Sequence, residues 1–211
     1  MGKEDNERFK RVEQQIIGQG LPYSLSHFAG FPFRTFEQIK SASERKEISF
    51  GCEYDPDFLE VVGSKADNVI NAIWANLPYV LLITNIVLSI VLKKWILLLG
   101  IPFNLFGVRA SSPHYPLKNS VSGIGGILFV GSFFILDWPW SVIFGLMLFS
   151  QIFSMTAREQ YRMVVEERAL ESEVFFCYMF HKGYFLLRDN QNLDRFKPKL
   201  ICENDQITHD S

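Results

Sequence analysis

Three asparagines interrupt the most apolar part of the chain: Asn76, Asn85 and Asn104. A side-chain amide both donates and accepts hydrogen bonds, so a set of amides on facing helices could line a path for a small polar solute. Amides also link neighbouring helices by hydrogen bonds, which is the simpler role. We treat these three residues as a candidate polar path, with interhelical bonding as the alternative.

One acid lies inside the apolar run 121–155, where an aspartate would be a candidate functional group by default. Its neighbours favour a different role. Asp137 is followed by Trp138, Pro139 and Trp140. Proline favours turns, and tryptophan favours the headgroup region of a bilayer. These four residues therefore predict an interfacial turn.

The length of this run supports the turn. A single helix over 121–155 would be about 50 Å long, whereas the hydrocarbon core of a bilayer is about 30 Å thick. We predict two helical arms, 121–136 and 140–155, with the turn between them. Ser122 and Gly126 have small-residue spacing, which predicts a close helix contact on that face of the first arm.

No other residue pattern indicates catalysis. The sequence contains no nucleophile elbow, phosphate-binding loop or dinucleotide motif, and the histidines and cysteines lack metal-ligand spacing. These scattered residues are His27, His114, His181, His209, Cys52, Cys177 and Cys202. We predict no catalytic, cofactor-binding or metal site, and free thiols in a reducing compartment.

Two more apolar segments precede the hairpin. Residues 73–92 would reach about 30 Å as a helix, and Lys93 and Lys94 end the segment. Residues 95–108 would reach only about 21 Å, so this segment either crosses with help from its flanks or is re-entrant.

Together these segments predict an all-α membrane protein with three to four short transmembrane helices, arranged as two helical hairpins, between small polar N- and C-terminal regions. The predicted regions are 1–71, 72–156 and 157–211. Hydrophobic residues make up 48% of the chain, yet the charges lie mostly at its two ends. A net charge of −2 does not suit nucleic-acid binding, so we expect no such partner.

The basic residues predict the orientation. Arg158 and Arg162 follow the last arm, and Arg109 and Lys118 precede the hairpin, so we expect these regions and the C-terminus in the cytosol. Four crossings place Lys93 on the far side; three would require translocation of a polar N-terminal segment in which we find no signal peptide. We favour four, in the cell membrane or an inner membrane.

The flanking regions carry local predictions. Residues 4–17 predict an amphipathic helix, and 156–173 predict a continuation of the last helix. The aromatic stretch 27–36 either contacts headgroups or packs within a small domain of its own. The stretch 174–189 is either two strands turning at Lys182-Gly183 or a helix on the membrane surface.

These features predict a non-enzymatic integral membrane protein that contacts the lipid bilayer and contacts or regulates a protein partner on the cytosolic side. One alternative is a channel or small-solute transporter, which would need a homo-oligomer because so few helices seldom enclose a pore. A second is a lipid-modifying enzyme that uses Arg109, His114 or the region of Glu166.

Overall fold

The computed structural model describes residues 3–112, 118–190 and 195–196, and the chain is mostly helical. It divides into two compact units, each of which we describe by itself. The terminal unit combines Met1–Ala66 with Tyr161–Ser211, and the helical unit is Asp67–Gln160. The terminal unit therefore combines most of two regions, 1–71 and 157–211, that the sequence analysis treats as separate.

Four apolar helical segments make up the helical unit. They are α4 (Lys65–Val91), a 3-10 helix (Trp95–Leu99) that continues into α5 (Gly100–Ala110), α6 (Lys118–Ile135) and α7 (Trp138–Glu171). The helices α4 and α7 are long and apolar enough to cross a membrane, and the other two segments are shorter. Their outer ends, Lys65–Ala66 and Tyr161–Glu171, belong to the terminal unit.

The break between α6 and α7 lies at Leu136 and Asp137, where the turn was predicted. The backbone N–H of Trp140 donates to the carbonyl of Asp137 over 3.0 Å, so Asp137 begins the first turn of α7. Pro139 is tolerated in that turn because its missing N–H would have no helical acceptor. Beyond it, α7 runs without interruption to Glu171, which confirms the predicted continuation of the last helix.

A second tight turn joins α4 to the 3-10 helix. Lys93 adopts a left-handed conformation with φ of 52°. The N–H of Lys94 donates to the carbonyl of Ser89 over 3.1 Å, which satisfies a carbonyl at the end of α4.

Besides the ends of α4 and α7, the described part of the terminal unit has four α-helices, a 3-10 helix and a small sheet. They are α1 (Lys3–Gly18), the 3-10 helix (Leu25–His27), α2 (Phe36–Glu44), β1 (Ile48–Cys52), α3 (Pro56–Val62), α8 (Glu173–Lys182), β2 (Phe185–Asp189) and β3 (Arg195–Phe196). The antiparallel sheet has the order β1-β2-β3. In its register Ile48 pairs with Asp189 and Cys52 with Phe185, so strands from opposite ends of the chain are neighbours.

Aromatic side chains fill the core of this unit. The predicted amphipathic helix is α1, and its Phe9 stacks on Phe175 with ring centroids 4.0 Å apart. The stretch 27–36 also packs inward, because Phe28 and Phe31 contact Phe180 at 5.5 and 5.4 Å. Of the two alternatives for that stretch, packing within its own domain is the one observed.

The stretch 174–189 matches neither alternative as a whole. Gly183, with φ of 77°, ends α8, and the chain then enters β2. The strand pairs with β1 and not with residues 174–182, so the predicted local hairpin is wrong. A surface helix is wrong as well, because Phe175, Phe176 and Phe180 are buried in the core.

Candidate functional site

The buried face of α4 is polar. Its buried residues are Asn71, Pro78, Asn85 and Ser89. Asn71, Pro78 and Asn85 follow one another at intervals of seven residues, which is close to two helical turns, so they lie along one face of the helix. Each of these three positions carries a hydrogen bond to another segment.

Asn104 of α5 links three helices. Its side-chain nitrogen donates to the carbonyl of Pro78 over 3.1 Å and to the hydroxyl oxygen of Ser150 in α7 over 2.5 Å. The side chain is almost completely buried. A proline in a helix interior cannot donate to the carbonyl four residues earlier, which weakens the helix near that point. The bond from Asn104 goes to the carbonyl of Pro78 itself, so it holds α5 to α4 beside this weak point.

Asn71 and Asn85 make the other two links. Asn71 donates to the carbonyl of Ala157 in α7, and Asn85 donates to the carbonyl of Leu97, both over 2.7 Å. The amide of Asn85 packs on Gly100, where an added Cβ would lie 2.8 Å from its nitrogen. We call Asn71, Asn85 and Asn104 the amide links.

The three asparagines of the candidate polar path do not lie together. Asn85 and Asn104 lie between helices, whereas Asn76 is exposed on the opposite side of α4 and donates to the carbonyl of Ala72 in its own helix. Sequence reasoning overlooked Asn71 and Ser150. The seven-residue spacing of Asn71, Pro78 and Asn85 was the signal that identifies Asn71.

Close backbone packing occurs in α5, the segment of doubtful length. A Cβ added at Gly107 would overlap the carbonyl group of Met147 in α7. The contact predicted at Ser122 and Gly126 is wrong, because nothing lies within 4 Å of a Cβ added at Gly126. The glycine of α6 that faces α7 is Gly125, one residue away and therefore on a different face.

The residues of the predicted turn lie at one end of α7. Asp137 and Trp138 are exposed, Pro139 is buried, and Trp140 stacks on Phe144 with ring centroids 5.9 Å apart. Nearby, an apolar groove of 340 Å³ runs between α4, α6 and α7. Its single hydroxyl, that of Ser141, is hydrogen-bonded to Ser132 over 2.9 Å.

Burial in the helical unit is inverted relative to a water-soluble domain. Among its described residues, four amides and six serines are buried, against seven hydrophobic side chains. Most exposed large hydrophobic residues also belong to this unit. In the terminal unit, the described exceptions are Ile17, Tyr23, Val61, Met163 and Leu186.

The terminal unit follows the ordinary pattern, with one buried polar residue, Arg168, among those described. Its guanidinium donates to the carbonyl of Val62 over 3.0 Å and pairs with Glu171 over 2.6 Å. Arg8 donates to the carbonyl of Gly63 over 2.6 Å. Both arginines therefore stabilise the C-terminal end of α3, where carbonyls lack helical donors.

The residues suggested for lipid chemistry do not form a described site. Arg109 is exposed at the end of α5, and Glu166 accepts a hydrogen bond from Ser43 over 3.4 Å within the terminal unit. His114 lies outside the described residues. Among the residues that the structure describes, no three histidine, cysteine or acidic side chains are placed to hold a metal.

Two cysteines are described, and neither is in a disulfide. Cys177 is buried in the core of the terminal unit, and this burial, with a smaller contribution from Glu173, raises the pKa of its thiol. The thiol therefore stays protonated and unreactive while the unit is folded. Cys52 is partly exposed.

No known protein family, no characterised protein and no solved structure matches this chain.

Proposed function

We propose that this chain is a small multi-pass integral membrane protein whose terminal unit contacts or regulates a protein partner beside the membrane. The observation that carries the proposal is the inverted burial of the helical unit. In water, an apolar surface of this extent would drive aggregation. In hydrocarbon the same surface is well solvated, and the buried amides and serines can hydrogen-bond to one another and to backbone groups.

Contacts between consecutive helices support two helical hairpins. Asn85 reaches forward to Leu97, and Asn104 reaches back to Pro78. Such nested contacts are typical of antiparallel helices joined by a short turn, here at Lys93. A second nested set joins α6 to α7 around Asp137, since Ser132 bonds Ser141 and the ring of Phe129 packs on Phe149 at 5.5 Å.

The sheet of the terminal unit supports an even number of crossings. Strand β1 precedes every apolar helix, and strand β2 follows every one. Because the two strands pair residue by residue, the pairing favours a topology in which residues 48–52 and 185–189 lie on the same side of a membrane. This favours four crossings over three and removes the need to translocate the N-terminal segment.

The distribution of charge supports a cytosolic terminal unit. With four crossings, Arg109, Lys118 and Arg158 lie on the side of the terminal unit, and Lys93 and Lys94 lie on the far side. The excess of basic residues near the terminal unit favours the cytosolic face of the cell membrane or an inner membrane.

The amide links favour a structural role for the buried polar groups. Each of them donates to a backbone carbonyl of a neighbouring segment, which holds the helices together. We therefore assign the activity to the terminal unit, as a non-enzymatic domain that is held at the membrane and offers its charged surface to a partner.

A second candidate function is a channel or transporter for a small solute, and one observation favours it. The side-chain oxygen of Asn85 is buried and receives no hydrogen bond from the described residues. A solute or water could donate to it. The measurement is flux into liposomes, which Asn85→Leu should abolish if the path is used and leave unchanged if it is not.

The experiment for the leading proposal is cysteine accessibility in intact cells. Cys52→Ser and Cys202→Ser remove the other native thiols, and Cys177 remains because it is buried. Single exposed cysteines are then introduced as Glu60→Cys, Lys94→Cys or Arg188→Cys. A membrane-impermeant maleimide should label only Lys94→Cys before lysis, and all three variants after lysis.

Two results would contradict the proposal. Release of the protein from membranes by alkaline carbonate would argue against integral insertion. Labelling of Glu60→Cys and Arg188→Cys from opposite sides of the membrane would exclude both the pairing of β1 with β2 and an even number of crossings. Because both positions are exposed, protection there reports the membrane and not burial; labelling after denaturation checks this.

A further inference from the structure

A regular row of residues runs along the exposed face of α4. We call this row the seam, and it consists of Val69, Ile73, Asn76, Val80, Ile83, Val87 and Ile90. Every member is exposed. The spacing alternates between four and three residues from end to end, over about 32 Å of helix.

This spacing is the heptad pattern of helices that pack against one another along their whole length. The seam is also strict in residue type, because every member except Asn76 is a β-branched valine or isoleucine. Such side chains have few rotamers, so they lose little freedom when they interlock with a second helix.

Asn76 supplies the second observation. One of its N–H groups bonds within α4 to Ala72 over 2.7 Å, and the described residues offer no donor to its side-chain oxygen. An exposed amide inside the apolar segment 73–92 is unfavourable in hydrocarbon unless another molecule completes its hydrogen bonds. A single polar residue within a heptad seam also fixes the register of the packed helices.

We propose that a second copy of this chain packs its α4 along the seam, in parallel, with the two Asn76 side chains hydrogen-bonded across a two-fold axis. The inference rests on the membrane insertion proposed above. Copies inserted with the same topology place α4 parallel and Asn76 at the same depth. An amide is complementary to itself, since it both donates and accepts, so the same residue from each copy completes the pair.

The first test measures dimerisation of the full chain in liposomes by energy transfer between labelled copies. Asn76→Leu should weaken dimerisation about tenfold, the effect of losing roughly one interhelical hydrogen bond. Asn76→Gln should retain most of it. Thr84→Val is the matched control, because Thr84 is exposed beside the seam and bonds to Val80 of its own helix. An unchanged affinity in Asn76→Leu would overturn the proposal.

The second test maps the interface by disulfide formation in membranes, with Cys52→Ser and Cys202→Ser as background. Val80→Cys, Ile83→Cys and Val87→Cys should crosslink, whereas the exposed off-seam Tyr79→Cys and Thr84→Cys should not. Crosslinking without this period, or none at all, would overturn the proposal. If the protein resists carbonate extraction but is monomeric, only the proposed dimer is contradicted. If carbonate releases the protein, the proposed membrane insertion is contradicted as well.

Discussion

At the scale of the residue, Asn104 and Asn76 carry the same side chain on apolar helices but differ in what they bond. Asn104→Leu removes two hydrogen bonds between helices, so it should lower the free energy of unfolding by about 1 to 2 kcal/mol. Asn76→Leu should leave the stability of the monomer unchanged, because its bond lies within α4. Denaturant titration in micelles, followed by circular dichroism, measures both; equal effects would contradict the assignment of the amide links.

The burial of Cys177 leads to a second prediction for a single residue, on how stability depends on pH. Its raised pKa means that the folded state keeps the proton after the unfolded thiol has lost it. Stability should therefore be unaffected near neutral pH and fall as the pH rises above about 8.5, the usual thiol value. Maleimide labelling of Cys177 should stay slow from pH 7 to 9 and become fast only on denaturation. Rapid labelling of the folded protein would show that the thiol is accessible.

The sequence analysis identified two of the buried asparagines but did not assign their hydrogen-bond partners. Asn85 and Asn104 were recognised as polar groups within apolar helices, and hydrogen bonding between helices was the stated alternative. The exposed position of Asn76 was not predicted, because the sequence analysis treats the three asparagines as one path without comparing their faces of the helix. Asn76 lies five residues after Asn71 and two before Pro78, so it is on the opposite face of α4 from the buried row of Asn71, Pro78 and Asn85.

At the scale of the element, the packing of α5 on α7 depends on one glycine. Gly107→Ala places a Cβ against the backbone of Met147, which cannot move aside as a side chain can. We expect a loss of about 1 to 3 kcal/mol, typical of overpacking. Gly126→Ala is the control and should change stability by less than about 0.5 kcal/mol, because its Cβ meets open space. Thermal denaturation in micelles would distinguish the two, and equal melting temperatures would contradict the close contact.

Sequence patterns predicted helix ends more reliably than strand partners. The break at Asp137 follows from an acid, two tryptophans and a proline within four residues, a signal that is purely local. The boundary at Gly183 was recognised as a turn, but the aromatic run before it has no clear period. That run is helical because it is buried on several sides in the terminal unit, and such burial arises from tertiary packing.

At the scale of the whole molecule, the pairing of β1 with β2 was beyond sequence reasoning. The two strands are separated by every apolar helix of the chain, and a local pattern carries no information on so distant a partner. The consequence for topology is large. If the apolar helices cross a membrane as proposed, this single pairing favours an even number of crossings, which the basic residues alone left open.

The shared core also predicts how the chain responds to truncation. Ending it after Glu171 removes α8 and β2, and with them Phe176, Phe180 and Phe185 from the core of the terminal unit. Residues 8–62 should then become sensitive to trypsin, because their apolar side chains lose the partners that bury them. Ending the chain after Asn190 is the control and should preserve resistance, since α8 and the pairing of β1 with β2 remain. If both truncated proteins resist digestion equally, the N-terminal segment folds without the C-terminal one, and the proposed even number of crossings loses its support.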